Sequence, residues 1–160
     1  MHKDENGKKL RGELLEGEIV VLDDGYVGYK RKLTLTNKRL IYTRGEGLFR
    51  TTWKLDEEIP LEQIEEAYTH TKGGLTQMSS AMLKMKDGKT RALKVSGGSS
   101  DLGSLLAADM ATDMAVRTKT LCDKWVNAIN QQLRLKAESQ TEMLEERIRE
   151  LEEKLKEKEK

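Results

Sequence analysis

Between residues 30 and 54 the chain carries eight bases, Lys30, Arg31, Lys32, Lys38, Arg39, Arg44, Arg50 and Lys54, against one acid, Glu46, for a local charge of +7. Cations in such density recognise anions, and beside an anionic bilayer each contributes about 1 kcal/mol, so a rim of about four or five recruits a protein to a membrane. The plainer account is that alternating strands turn half of these bases to water for solubility and edge protection. Both accounts stand on sequence alone. Leu48, Phe49 and Trp53 lie within the same stretch, flanked by Arg50 and Lys54. An apolar tip inside a cationic collar is the pattern of a membrane-inserting loop. The same three residues also suit the start of a strand that fills a core, and that reading is favoured.

Groups for catalysis are sparse. His2 and His70 lie far apart, no Cys or His spacing would hold a metal, and no cofactor is expected. Gly73-Gly74 and Gly97-Gly98 form neither a phosphate loop nor a dinucleotide fingerprint. Asp56, Glu57, Glu58, Glu62, Glu65 and Glu66 read as a solvated acidic surface rather than paired catalytic carboxylates. Cys122 sits beside Val126 on an apolar stripe and reads as a buried, inert thiol. The chain is therefore read as a non-enzyme. Nucleic acid is not an expected partner either, because the aromatics do not interleave with the bases and the acidic run repels a phosphate backbone.

The elements that position these groups follow from periodicity. Leu33 and Leu35 alternate with Lys32, Thr34 and Thr36, Asn37 favours a turn, and Leu40, Ile41 and Tyr42 resume the pattern, which makes a hairpin. Gly17 to Leu22 reads as an earlier strand, with a turn or bulge at Asp23-Asp-Gly25. Leu48 to Leu55 reads as the fourth strand, punctuated by Asp56-Glu-Glu58 and Pro60. Leu61 to Thr71 then reads as extended, with a helical turn over Glu62 to Tyr68 as the alternative. Ala81–Met85 and Arg91–Val95 flank Asp87-Gly88, the pattern of a second hairpin closed by a tight primed turn. Six or seven antiparallel strands result.

After Ser96-Gly-Gly-Ser-Ser100 a short capped helix carrying Leu102, Leu105 and Leu106 is expected, and from about Asp109 the period is helical. Leu121, Trp125, Ile129 and Leu133 recur every fourth residue, a face for docking on a sheet. Past Leu135 the chain is almost wholly charged, yet Leu144, Ile148, Leu151 and Leu155 keep the a/d spacing of a coiled coil. Arg147 and Lys154 fall at g, and Glu152 and Glu159 at e, a placement that favours a parallel homodimer. About two heptads are short for a coiled coil, and a solvated helix held by its own ion pairs is the alternative.

Gly17-Glu18, the run Leu33-Thr-Leu-Thr-Asn-Lys-Arg-Leu-Ile-Tyr42, Ile59-Pro-Leu-Glu-Gln-Ile64 and the late Asp87-Gly-Lys89 turn resemble the pleckstrin-homology-like (PH-like) superfamily, in its bacterial PH and GRAM branches. With Leu14-Leu15 ahead of the first strand, the chain also resembles the GLUE domain of the ESCRT-II complex. The resemblance covers about residues 10 to 135. Gly97 to Val116 departs from these patterns, and no family's ubiquitin-contacting or phosphoinositide-contacting residues map onto this chain. The resemblance implies an α+β fold, a PH-like antiparallel barrel or sandwich of six to seven strands capped by a long C-terminal helix, which the a/d spacing beyond Leu135 would continue as a short coiled coil.

The chain thus divides into a disordered leader, 1–9, a PH-like domain, 10–135, and a charged helical extension, 136–160. A single cysteine among 160 residues precludes an internal disulfide and fits a reducing cytoplasm. The polar start excludes an ordinary secretory signal, and no run approaches the length of a spanning helix. Twenty-nine bases against twenty-eight acids leave +1 overall, so any attraction to anions must be local. The resemblance implies a cytoplasmic, peripherally membrane-associated adaptor in ESCRT-like protein transport. It would bind anionic lipid, ubiquitin or both, and meet other subunits through its tail. The alternative is a bacterial-PH-type scaffold that associates with proteins and binds no lipid.

Overall fold

The computed structural model describes residues 14–26, 31–46, 52–73, 78–93 and 108–158. The leader, the short helix expected near Leu102, and Lys30, Leu48, Phe49 and Arg50 lie outside the described residues. Four strands, β1 (Val20–Tyr26), β2 (Arg31–Thr36), β3 (Arg39–Glu46) and β4 (Thr52–Pro60), form one antiparallel sheet in chain order. A single 3₁₀ turn, Leu61–Gln63, leads into β5 (Ile64–Lys72), which forms a second antiparallel sheet with β6 (Met78–Met85) and β7 (Thr90–Leu93). One helix, α1 (Ala108–Lys158), completes the fold.

The period of two in β2 and β3 does what it predicts on one face. Leu33, Leu35, Leu40, Tyr42 and Ile59 point into a single core with Ile64, Ala67, Ala81, Leu83, Met85 and Leu93 of the second sheet, and with Cys122, Trp125, Val126 and Ile129 of α1. Asn37 and Lys38 connect β2 to β3 as expected. The Asn37 side chain also accepts from Ile19 N–H at 2.9 Å and donates to Gly17 O at 3.1 Å, fastening the chain ahead of β1 to the hairpin. The irregularity expected at Asp23-Asp-Gly25 is present as a register shift between Leu22 and Gly25 within a continuous β1.

Three local expectations are corrected. The acids of 56–58 and Pro60 do not end the fourth strand but lie within β4, where Asp56 occupies a register shift opposite Tyr42 and Thr43. The stretch after Pro60 is neither wholly extended nor a helix, since three residues make a 3₁₀ turn before β5 begins. The Asp87-Gly88 hairpin does not use a two-residue primed turn. Gly88 N–H donates to Met85 O at 2.9 Å, Met85 N–H donates to Lys89 O at 2.8 Å, and Gly88 takes φ 83°, the geometry of a longer loop ending in a left-handed residue. A side chain at Gly88 would be strained by that φ even though the space around it is open.

Helix α1 has 51 residues and runs unbroken through the 135/136 boundary, about 76 Å at 1.5 Å per residue. Its first half packs on β5 and β6. Asn130 fixes the contact: its amide accepts from Ala67 N–H at 2.9 Å and donates to Ala67 O at 2.8 Å, satisfying the outer edge of β5, which no strand covers among the described residues. Asp123 accepts from Thr69 Oγ1 and Lys119 Nζ, which hold its carboxyl below the usual range. Replacing Asn130 with Ala leaves both Ala67 groups unsatisfied and is expected to cost about 2 kcal/mol, read by denaturant titration. No helix among the described residues is long and apolar enough to cross a membrane.

Candidate functional site

The first sheet sorts its cations by strand register. On the core-facing side, directly opposed residues form successive rows: Leu35, Leu40 and Ile59, then Leu33, Tyr42 and Glu57, then Arg31, Arg44 and Lys54. The register shift at Asp56 keeps Lys54 in step with Arg44, so the apolar face ends in three bases side by side. Like charges directly opposite one another destabilise a sheet unless they are compensated. Two of the three are: Arg31 pairs with Asp56, and Lys54 with Glu46 at 2.9 Å. Arg44 is exposed and makes no ion pair among the described residues. On the reverse face Lys32 stands 5.7 Å from the centre of the Trp53 ring, a cation–π contact. Trp53 therefore lies half-buried on β4 rather than at a loop tip, and its expected companions Leu48 and Phe49 lie outside the described residues.

This row lies at the end of the sheet away from the Asn37–Lys38 turn and the 3₁₀ turn, which Leu61 N–H joins by donating to Lys38 O at 2.9 Å. Helix α1 passes the 3₁₀ turn, where Lys136 reaches Glu62 at 3.4 Å. The cationic row and the departing helix thus occupy opposite ends of the sandwich. Lys38 belongs to the helix end, where its ammonium donates to Glu16 O.

Arg39 is a different case. Its residue is 8% exposed, and its Nε and Nη2 donate to the two carboxylate oxygens of Glu18 at 2.8 and 2.9 Å, while Nη1 pairs with Glu58. The bidentate pair lies on the outer face of the sheet beside Thr36, whose hydroxyl donates to Glu18 at 2.7 Å. Burial alone would raise the Glu18 carboxyl, but hydrogen bonds from Arg39, Leu15 N–H and Thr36 together bring it down to about 2. Arg39 is structural in this position, so it leaves the expected basic rim.

The acidic run is also more than a solvated surface. Asp56, Glu57, Glu58, Glu62 and Glu65 take partners from β2, β7, β3, α1 and β6, namely Arg31, Arg91, Arg39, Lys136 and Lys84. Its sequence neighbours made it look like a block of one sign, but these five acids each face a base brought in by another element. Cys122 is 2% exposed, its Sγ lies 3.5 Å from Ser79 O, and burial pushes its thiol above the ordinary range, in keeping with an inert residue. Among the described residues no group of three or more His, Cys, Asp or Glu side chains is placed to hold a metal. Glu18 and Asn130 are the polar residues whose roles the sequence did not reveal. Glu18 stood in a motif, but nothing local paired it with a base 21 residues on.

A four-stranded meander, a three-stranded meander and a C-terminal helix packed on the second of them are the layout expected from the resemblance. The fold is α+β, two antiparallel sheets capped by one long helix. No protein-family model matches the chain, and no curated protein matches it. Among solved structures it is similar to a pleckstrin homology domain from Shewanella amazonensis SB2B, with 17% identity over 64% of this chain and 88% of that one and a TM-score of 0.37. Neither the GRAM nor the GLUE branch follows from that likeness.

Proposed function

We propose that this PH-like module is a non-catalytic adaptor that docks on an anionic membrane surface through the end of its first sheet. The observation that carries the reading is the cross-strand row of Arg31, Arg44 and Lys54, with Lys32 on the reverse face. The row's side chains stand where the core ends, next to solvent, and at the end of the sandwich opposite the departing helix. A membrane could then be met at one end while the tail reaches other subunits at the other. The Lys54 pair with Glu46 is exposed enough to be exchanged for phosphate at small net cost, while the Arg31 pair with Asp56 is only partly exposed.

The test is flotation with neutral and anionic vesicles at low and moderate salt. The protein is expected to float only with anionic vesicles and to be released as salt rises. Reversal of Lys32, Arg44 and Lys54 to Glu should weaken binding at least about a hundredfold, since each base contributes about 1 kcal/mol. Arg39 is left intact in this variant, because its reversal would disturb folding and mimic a loss of binding. Absence of flotation under every condition would sink the lipid reading.

The second reading is a scaffold that associates with proteins and binds no lipid. It is favoured by the internal pairing of Arg31, Arg39 and Lys54, which lowers the charge left for a ligand. Ubiquitin recognition, and with it an ESCRT-like role, has for support the exposed apolar trio Ile19, Val20 and Val21 at the start of β1. Binding there would tolerate salt, which separates it from lipid attraction.

A further inference from the structure

We infer that two copies of this chain pair in parallel through residues 144–155 of α1. Upstream, the apolar stripe of the helix is spent on the sheet: Cys122, Trp125 and Ile129 are buried there. Downstream, Leu144, Ile148, Leu151 and Leu155 are 64, 56, 49 and 61% exposed on a helix whose other positions are almost all charged. Four large apolar side chains at d, a, d and a make a continuous seam, and nothing in the described chain covers it.

The occupant is argued from residue type and charge. A β-branched residue at a with leucine at d packs best in a parallel two-stranded coil, and here Ile148 lies at a between Leu144 and Leu151 at d. In a parallel pair g faces the e′ position five residues on, which sets Arg147 against Glu152 of the second copy. In an antiparallel pair g faces g′ and e faces e′, which sets Arg147 against Lys154 and Glu145 against Glu152, both repulsive. A second copy in parallel is therefore the arrangement in which this seam and its flanking charges agree. The pair Arg147 makes with Glu150 within its own helix, 2.9 Å, is exposed and easily exchanged.

The pattern also says where the pairing stops. Extending the heptads toward the barrel puts Arg134 and Thr141 at a and Ala137 at d, none of them a large apolar residue. At about 100° per residue the seam is turned roughly 60–90° around the helix from the stripe that docks the sheet, so the partner helix does not continue along the docking face. Parallel pairing then brings both barrels to the same end of the coil.

The experiment is sedimentation of the full chain over a concentration series, alongside Ile148→Asp and Leu144→Cys variants. A reversible dimer is expected, weakened at least tenfold by Ile148→Asp with the melting of the barrel unchanged. Leu144→Cys should cross-link under mild oxidation, since a parallel seam sets the two 144 positions side by side, while Cys122 stays buried and silent. A chain that is monomeric up to about 1 mM overturns the inference. So does a dimer indifferent to Ile148→Asp, or one that fails to cross-link through position 144.

Discussion

Replacing Arg39 with Met is expected to destabilise the fold by about 3–5 kcal/mol, because it leaves the Glu18 carboxylate buried without its counter-ion. The Glu18 side chain is wholly inaccessible, and Arg39 supplies two of its hydrogen bonds. With domain stabilities of about 5–15 kcal/mol, such a loss unfolds a sizeable share of the protein at room temperature. Guanidinium titration followed by circular dichroism measures it. Joint replacement of Arg39 by Met and Glu18 by Gln should recover much of the loss, since a buried ion pair removed whole costs far less than one broken. If the single variant is as stable as the parent, the pair is not the buried bridge described above.

The same pair dictates a pH dependence. Glu18 titrates at about 2 in the folded chain against 4.5 unfolded. Its folded value is depressed, so its contribution is complete above pH 4.5 and is lost as pH falls toward 2. The loss amounts to about 3 kcal/mol across that window. Glu18→Gln should flatten this part of the stability profile. The bond between Arg39 and Glu18 also holds the guanidinium above its ordinary value, so Arg39 stays charged throughout and the window belongs to Glu18.

Trp125→Ala should cost about 3–5 kcal/mol, by removing the largest fully buried side chain and opening a cavity where α1 meets the sheets. Trp125→Phe should be much milder, about 1 kcal/mol. The indole Nε1 is buried and finds no hydrogen-bond partner among the described residues, so Phe sheds an unsatisfied donor while keeping most of the apolar surface. Thermal melts of the two variants measure the difference. A Phe loss as large as the Ala loss would mean that Nε1 is satisfied and that its hydrogen bond, not apolar volume, sets the cost. Trp125 is one anchor and Asn130 the other: the first fills the core, and the second closes the β5 edge one turn further on.

Much of this fold was legible because its signals are local. Leu33 and Leu35 on one side of Asn37, with Leu40 and Tyr42 on the other, specify a hairpin by alternation and a turn residue within ten positions. Leu121, Trp125, Ile129 and Leu133 specify a docked helix face by a period that needs no knowledge of the partner. The acids of β4 misled because composition suggests a break, whereas their side chains are held in the strand by bases from other elements. The loop at Asp87-Gly88 was read in kind and not in length, since Gly88 serves a left-handed position in more than one hairpin type.

What the sequence by itself determined is therefore the order and type of the elements, the inert environment of Cys122 and the docking stripe of α1, each set by spacing along the chain. Only the tertiary structure decided which cations face outward. Arg39 and Arg44 are both bases on β3, but the segment ahead of β1 and the adjacent β4 bring Glu18 and Glu58 to the first and no ion-pair partner among the described residues to the second. An ion pair depends on which strands lie side by side and in what register. That is fixed by burying the shared core, and no local pattern of charges records it.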